Sequence, residues 1–189
     1  MYKGLFVVIS SPSGGGKDSV IGELLKIFPE SARLLTTTSR LPRPGNVEGV
    51  DYHFVSKKEF EEKIKNDEML EYNNYAGNYY GIEKKRLENV LEKNKIIFTQ
   101  IEVNGKHSLD KSKIDHLSIF LLPDSLDVLA DRIRKRGGVS EEKIKSRLEI
   151  ARVEIEASKD YDYKIVNRDG KFKETIEEIV QILNTKLEA

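Results

Sequence analysis

Residues 5–19 read LFVVISSPSGGGKDS. Leu5 to Ser10 is almost wholly apolar, a glycine-rich loop follows, and Val20, Ile21, Leu24, Leu25 and Phe28 then recur at helical spacing. The order predicts strand, loop and helix, which is the setting a phosphate-binding loop requires. Against the pattern G-x-x-x-x-G-K-[ST], Gly16 and Lys17 are in register, but Ser11 takes the first glycine position and Asp18 the hydroxyl position. Gly14, Gly15 and Gly16 let successive backbone N–H groups turn toward an anion, the helix N-terminus adds partial positive charge, and Lys17 can reach outer phosphates. The competing reading is a glycine-rich turn that binds nothing. Asp18 carries two readings of its own: it holds Mg²⁺ directly or through water, or its charge weakens binding of a phosphate. Ser19 offers a hydroxyl one position late.

Working outward, Pro29 stops the first helix, and Arg33 to Thr38 can form a second strand. Residues 40–51, RLPRPGNVEGVD, hold two prolines and two glycines and read as an ordered loop. YHFV (52–55) is a short strand, and Ser56 with Glu59 is a capping-box pattern that opens a helix to about Asn66. MLEYNNY, the turn AGN and YYGI read as a hairpin, so this region is a small α+β insertion. After a polar helix near 83–94, KIIFTQIEV and LSIFLL are two more apolar runs, each followed by a helical segment, and the βαβ rhythm resumes. Ser125 to Arg136 and residues 140–157 are helical, YKIVN is the last strand, and the final helix aligns Phe172, Ile176, Ile179, Val180, Leu183 and Leu187. The fold expected is α/β, a three-layer core around a parallel sheet comprising residues 1–35, 87–128 and 152–189, with a mixed-β insertion at 36–86 and a helical lid at 129–151.

The 189 residues suit one elaborated domain. Lys and Arg total 32, as do Asp and Glu, and this zero net charge argues against a broad nucleic-acid or anionic-membrane surface. Polyanions must then be met by local clusters. With no cysteine and only His53, His107 and His116, cysteine chemistry is excluded and a histidine metal site is disfavoured. No apolar run reaches the roughly 18 residues of a membrane span and no signal-peptide pattern opens the sequence, so a cytoplasmic protein is expected.

Two further clusters are basic. TTTSRLPRPGNVEGVDYHFV (36–55) concentrates Thr36, Arg40, Arg43 and Tyr52, with little acid before Glu48. Arginine suits bidentate phosphate contacts, although a solvated turn-rich loop is an equal reading of this stretch alone. GNYYG (77–81) adds Tyr79 and Tyr80 on the hairpin, where a phenol can donate to a phosphate oxygen. Arg132, Arg134, Lys135, Arg136 and Arg147 form the second cluster. Arg132 and Arg136 share a helical face, and Arg147 lies beyond the Gly137-Gly138 break, where a second helix can fold back.

Taken in order, SPSGGGKDS, TSRLPRPGNVEGVDYHFV, GNYYG, QIEVNG, RIRKRGG with Arg147, and IVNRD resemble the guanylate kinase family over almost the whole chain. The resemblance implies a core, a GMP-binding insertion at 36–86 and a lid, closing over ATP and GMP with Mg²⁺. It implies catalytic roles for Lys17, Arg43, Arg136 and Arg147. ATP would be held by Ser13, Gly14, Gly15, Gly16, Lys17, Asp18, Ser19, Arg132 and Asn167, with Asp18 the metal candidate. GMP would be held by Thr36, Arg40, Arg43, Tyr52, Glu71, Tyr80 and Glu102. Glu71 has a rationale of its own, since a carboxylate can accept from both N1–H and the N2 amino group of guanine. The sequence departs from the family at Ser11, Asp18, Asn46, Ile82 and Gln100; an isoleucine at 82, where Ser or Thr is common, can neither donate to nor accept from guanine O6. The reaction expected is γ-phosphoryl transfer from ATP to GMP or dGMP, by a monomer or homodimer without nucleic-acid or membrane partners. The alternatives are a catalytically weak nucleotide- or phosphoprotein-binding module, or a kinase for another purine monophosphate.

Overall fold

A computed structural model describes residues 4–75 and 77–188, the side chains of Tyr75 and Arg136 excepted. The strands are β1 (Leu5–Ser10), β2 (Ser31–Arg33), β3 (Thr37–Thr38), β4 (His53–Phe54), β5 (Met69–Tyr75), β6 (Asn78–Glu83), β7 (Ile96–Gln100), β8 (Leu117–Leu122) and β9 (Tyr163–Val166). The helices are α1 (Lys17–Ile27), α2 (Lys57–Lys65), α3 (Lys84–Leu91), α4 (Val103–Lys111), α5 (Leu126–Arg136), α6 (Glu141–Ala157) and α7 (Phe172–Glu188). One five-stranded sheet runs in the order β2-β7-β1-β8-β9, with β2/β7 and β8/β9 parallel. A four-stranded mixed sheet runs β4-β3-β6-β5. The α/β class and the inserted mixed sheet expected from the sequence are both present.

The strand expected over 33–38 is instead two. Residues 31–33 pair with β7, whereas Thr37 and Thr38 pair with β4 and β6 in the other sheet. The apolar-polar run is continuous, but the backbone changes partners at Leu34 to Thr36, and sequence periodicity carries no record of which neighbour a strand finds. The AGN turn between β5 and β6 contains Ala76, which lies outside the described residues.

The chain divides into two compact units, residues 1–8 with 30–117, and residues 9–29 with 118–189. In the first, Phe6, Val8, Leu34, Ile82, Leu87, Leu91, Ile97, Ile101 and Leu109 form a buried cluster. Here α2 opens as expected: Ser56 Oγ accepts from the Glu59 N–H while Glu59 reaches back to the Ser56 N–H, satisfying two otherwise orphaned donors. In the second unit Leu129, Ala130, Ile133, Ile144 and Ala151 pack α5 against α6. On α7, Ile176, Ile179 and Leu183 are buried as the helical spacing requires, while Phe172 and Leu187 at its two ends are exposed.

Candidate active site

The glycine-rich loop belongs to the second unit. Strand β1 delivers a buried Ser10, the loop turns, and α1 begins at Lys17. Gly14 and Gly16 sit at φ 91° and 93°, in the left-handed region that side chains with a Cβ avoid. Space is as restrictive as backbone: a Cβ on Gly15 would lie 2.4 Å from Ser11 Oγ, and one on Gly16 would lie 2.6 Å from Asn167 Nδ2. The glycines are therefore set by the packing of this loop.

Ser11, the first departure from the motif, is buried and works as an anchor. Lys17 Nζ donates to its carbonyl oxygen at 2.6 Å and to its hydroxyl at 3.2 Å. The lysine is thus folded back along the loop. Ser13, Asp18 and Ser19 are exposed, the last two in the first turn of α1, so Asp18 presents an anionic oxygen at the positive end of the helix.

Asn167 ties this unit together. Its side-chain N–H₂ donates to the Gly15 carbonyl at 2.9 Å, its side-chain oxygen accepts from Thr175 at 3.3 Å, and its backbone carbonyl accepts from Arg132 at 2.8 Å. One buried amide therefore links the phosphate loop, the arginine of α5 and α7. Arg132 is further paired with Asp169 at 3.5 Å.

The basic cluster of the second half separates in the structure. Arg134, counted with it on sequence, forms a two-pronged pair with Glu141, at 2.8 and 2.9 Å, and a third bond to Asp131 at 2.9 Å. It closes the α5–α6 turn and is neutralised there. Arg147 is half-buried on α6. The side chain of Arg136 lies outside the described residues.

A second group of the residues expected to bind nucleotide belongs to the first unit. Arg40 lies over the rings of Tyr52 and Phe54, its guanidinium carbon 5.4 and 5.6 Å from their centroids. Tyr52 in turn meets Tyr80 edge to face at 6.2 Å. Arg40, Tyr52 and Tyr80 are thereby brought together as one aromatic-cationic face. Arg40 donates to the Asn46 side-chain oxygen at 3.0 Å and to the Leu41 carbonyl at 2.8 Å, and the same Asn46 oxygen accepts the Arg43 N–H at 3.1 Å. Asn46 was legible only as a departure; the turn-forming pattern PRPGN was the signal for its clamping role. The Arg43 side chain is exposed.

Two carboxylates mark the second corner of this group. Glu71 on β5 is 5% exposed, accepts the backbone N–H of Ile82, and is pushed up to about 8, first by burial and then by the charge of Glu102. The cause of the burial is visible on both sides. Ile82, fully buried, is its register partner on β6. Gly105 on α4 lies so close that a Cβ there would stand 2.8 Å from Glu71 Oε2. Glu102, exposed at the start of α4, accepts from Asn73 at 3.3 Å, and Thr36 donates to the Gln100 carbonyl at 3.4 Å. Sequence reasoning passed over Gly105 and Asn73. The glycine of QIEVNG was the available signal for the first; the alternation that puts Asn73 on the Glu71 face of β5 was the signal for the second.

Among the described residues no group of three or more His, Cys, Asp or Glu side chains is placed to hold a metal ion, and no helix is long and apolar enough to cross a membrane. A profile of guanylate kinase matches residues 3–187. The guanylate kinase of Rickettsia bellii is 39% identical over 181 residues, spanning 96% of this chain and 94% of that protein. The guanylate kinase of Lactobacillus acidophilus is 44% identical over 167 residues, spanning 87% of this chain and 81% of that protein. The crystal structure of guanylate kinase from Anaplasma phagocytophilum superposes with a TM-score of 0.78 at 30% identity, covering 100% of this chain and 89% of that one. With a glycine-lined phosphate loop, an arginine-tyrosine face and a buried carboxylate all carried on this fold, the chain belongs to the guanylate kinase family.

Proposed function

We propose that the protein transfers the γ-phosphoryl group of ATP to GMP, and to dGMP, giving ADP and GDP or dGDP. The observation that carries this reading is Glu71: a buried carboxyl aligned by the Ile82 N–H, on the same insertion that carries the Arg40–Tyr52–Tyr80 face. A purine monophosphate needs both a base reader and a phosphate reader, and guanine presents adjacent N1–H and N2–H donors that an ionised carboxylate accepts together.

In this reading Arg40, Arg43, Tyr52 and Tyr80 hold the GMP phosphate. Thr36, Glu71 and Glu102 read the base. On the ATP side the backbone of Ser13 to Gly16, with Lys17, Ser19, Arg132 and Asn167, holds the triphosphate. Lys17, Arg43, Arg136 and Arg147 stabilise the charge that develops on the transferred group. The attacking phosphate oxygen is already ionised, so the chain has no proton to remove and positioned cations supply the catalysis. A divalent metal, which we take to be Mg²⁺, suits a loop offering one carboxylate and one hydroxyl, because Mg²⁺ retains water and phosphate oxygens. Asp18 and Ser19 would hold it, and its chemistry there is to neutralise the β- and γ-phosphates.

The test is ADP release from ATP and Mg²⁺ with GMP, dGMP, AMP, IMP, UMP and CMP, for wild type and Lys17→Met. Turnover is expected with GMP and dGMP, and the lysine variant should lose at least about 10²-fold in kcat. Absence of turnover with every monophosphate would refute the kinase reading. Because the Ile82 side chain places no polar atom beside Glu71, IMP and AMP are the informative competitors. Equal turnover of IMP and GMP would show that the N2 amino group is not read.

A further inference from the structure

The first unit holds a charged chain of contacts that no proposed substrate residue belongs to. It starts at Glu83, the last residue of β6, whose carboxyl is 8% exposed. Thr37 donates to it at 2.6 Å, Lys63 at 2.9 Å and Arg86 Nε at 3.0 Å. Burial alone would raise this acid, but the three donors outweigh it and hold the carboxyl down at about 2. Glu83 is thus an ionised anchor inside the sheet, and it fixes the guanidinium of Arg86.

The remaining fork of that guanidinium points elsewhere. Arg86 Nη1 lies 3.0 Å from His53 Nε2, and His53 Nδ1 lies 3.0 Å from Glu48 Oε1. A guanidinium only donates, so Nε2 is the acceptor and Nδ1–H donates to Glu48. The other oxygen of Glu48 accepts the backbone N–H of Phe54 at 2.7 Å. The two residues that follow Tyr52, His53 and Phe54, are therefore tied to Glu48. The backbone closes the loop as well, since Glu48 bridges Tyr52 and the Gly49 N–H donates to the Tyr52 carbonyl at 3.0 Å.

We propose that Glu83, Arg86, His53 and Glu48 form a relay that positions the phosphate-reading face, with Arg86 and His53 as its positioning residues. The relay sets β4 and Tyr52 immediately before it, and the Tyr52 and Phe54 rings support the Arg40 guanidinium. It touches no substrate itself. The inference rests on the reading that Arg40 and Tyr52 hold the GMP phosphate.

The experiment uses the full chain with His53→Phe, Arg86→Lys, the double variant, Glu48→Ala and Glu48→Gln. His53→Phe keeps ring volume and removes both hydrogen bonds; Arg86→Lys keeps the charge beside Glu83 and loses the fork. GMP dissociation constants come from calorimetry, and kcat with both KM values from ADP release. Each single variant, and Glu48→Ala, should weaken GMP about tenfold in dissociation constant and KM, with kcat and the ATP KM within about twofold. The double variant should match the singles because both break one link, and Glu48→Gln, which keeps one of the two acceptor oxygens, should bind GMP with an affinity between those of wild type and Glu48→Ala. GMP affinity within twofold of wild type in His53→Phe and Arg86→Lys overturns the relay, as does an equal rise in the ATP KM or a multiplied effect in the double variant. A wild type that binds no GMP overturns instead the functional reading on which the relay depends.

Discussion

An ionised Glu71 is what guanine requires, yet the free protein holds this carboxyl at about 8 rather than its ordinary 4.5. A protonated Glu71 would turn an O–H donor toward guanine donors, so on the role proposed for it GMP binding must expel a proton. The fraction of protein ready to bind is about one tenth at pH 7, and the apparent dissociation constant is the intrinsic one divided by that fraction. Between pH 8.5 and 6.5 GMP affinity should therefore fall about 25-fold. The second ionisation of the GMP phosphate near 6 adds less than about twofold over this range. Calorimetry at pH 7 in buffers of different ionisation enthalpy should show about 0.9 proton released per GMP bound. Glu71→Gln should abolish the release and flatten the pH dependence. The same shift has a stability consequence. The raised value means the folded chain binds more protons than the unfolded one between 4.5 and 8, so Glu71's contribution to stability falls as pH rises through that window. Glu71→Gln should gain on wild type across that range, by on the order of a few kcal/mol in total. A wild type and variant whose GMP affinity changes in parallel with pH, with no buffer-dependent heat, would show the reasoning to be wrong.

Three other outcomes follow from the contacts within the two units. Gly105→Ala puts a methyl 2.8 Å from Glu71 Oε2, in a helix where alanine is otherwise favoured. The GMP KM should rise about tenfold with circular dichroism unchanged, and an unchanged KM would show that Glu71 does not need its present position. Asn167→Ala removes the bonds to Gly15 and Thr175 and should cost about 1–3 kcal/mol in urea denaturation, with a raised ATP KM. Ile82→Thr brings a hydroxyl into a fully buried site, costing about 1–3 kcal/mol of stability, and should move the midpoint of the GMP affinity profile below that of wild type.

The reach of the sequence is clearest where chemistry is local. The phosphate loop needed only Ser11 to Ser19 between an apolar strand and a periodic helix, and both elements formed where their residues placed them. The capping box at Ser56 was legible for the same reason, because its partners are three residues apart. Zero net charge leaves phosphate recognition to local clusters, and among the basic residues of 132–147 the Arg134 guanidinium is taken by Glu141 and Asp131. A run of like charges says nothing about which members meet an acid across a turn.

What the amino-acid order determined by itself was the alternation of strand and helix, the glycine loop between β1 and α1, and the residue types able to meet phosphate and guanine. Tertiary structure alone decided the switch of the 31–38 segment from one sheet to the other, the contacts that run from Glu83 to Glu48, and the burial that raises Glu71. The physical reason is common to all three. Strand partner, hydrogen-bond partner and dielectric are properties of neighbours brought in from distant parts of the chain: Ile82 and Gly105 dry a carboxyl at position 71 that, read along the sequence, is an ordinary glutamate.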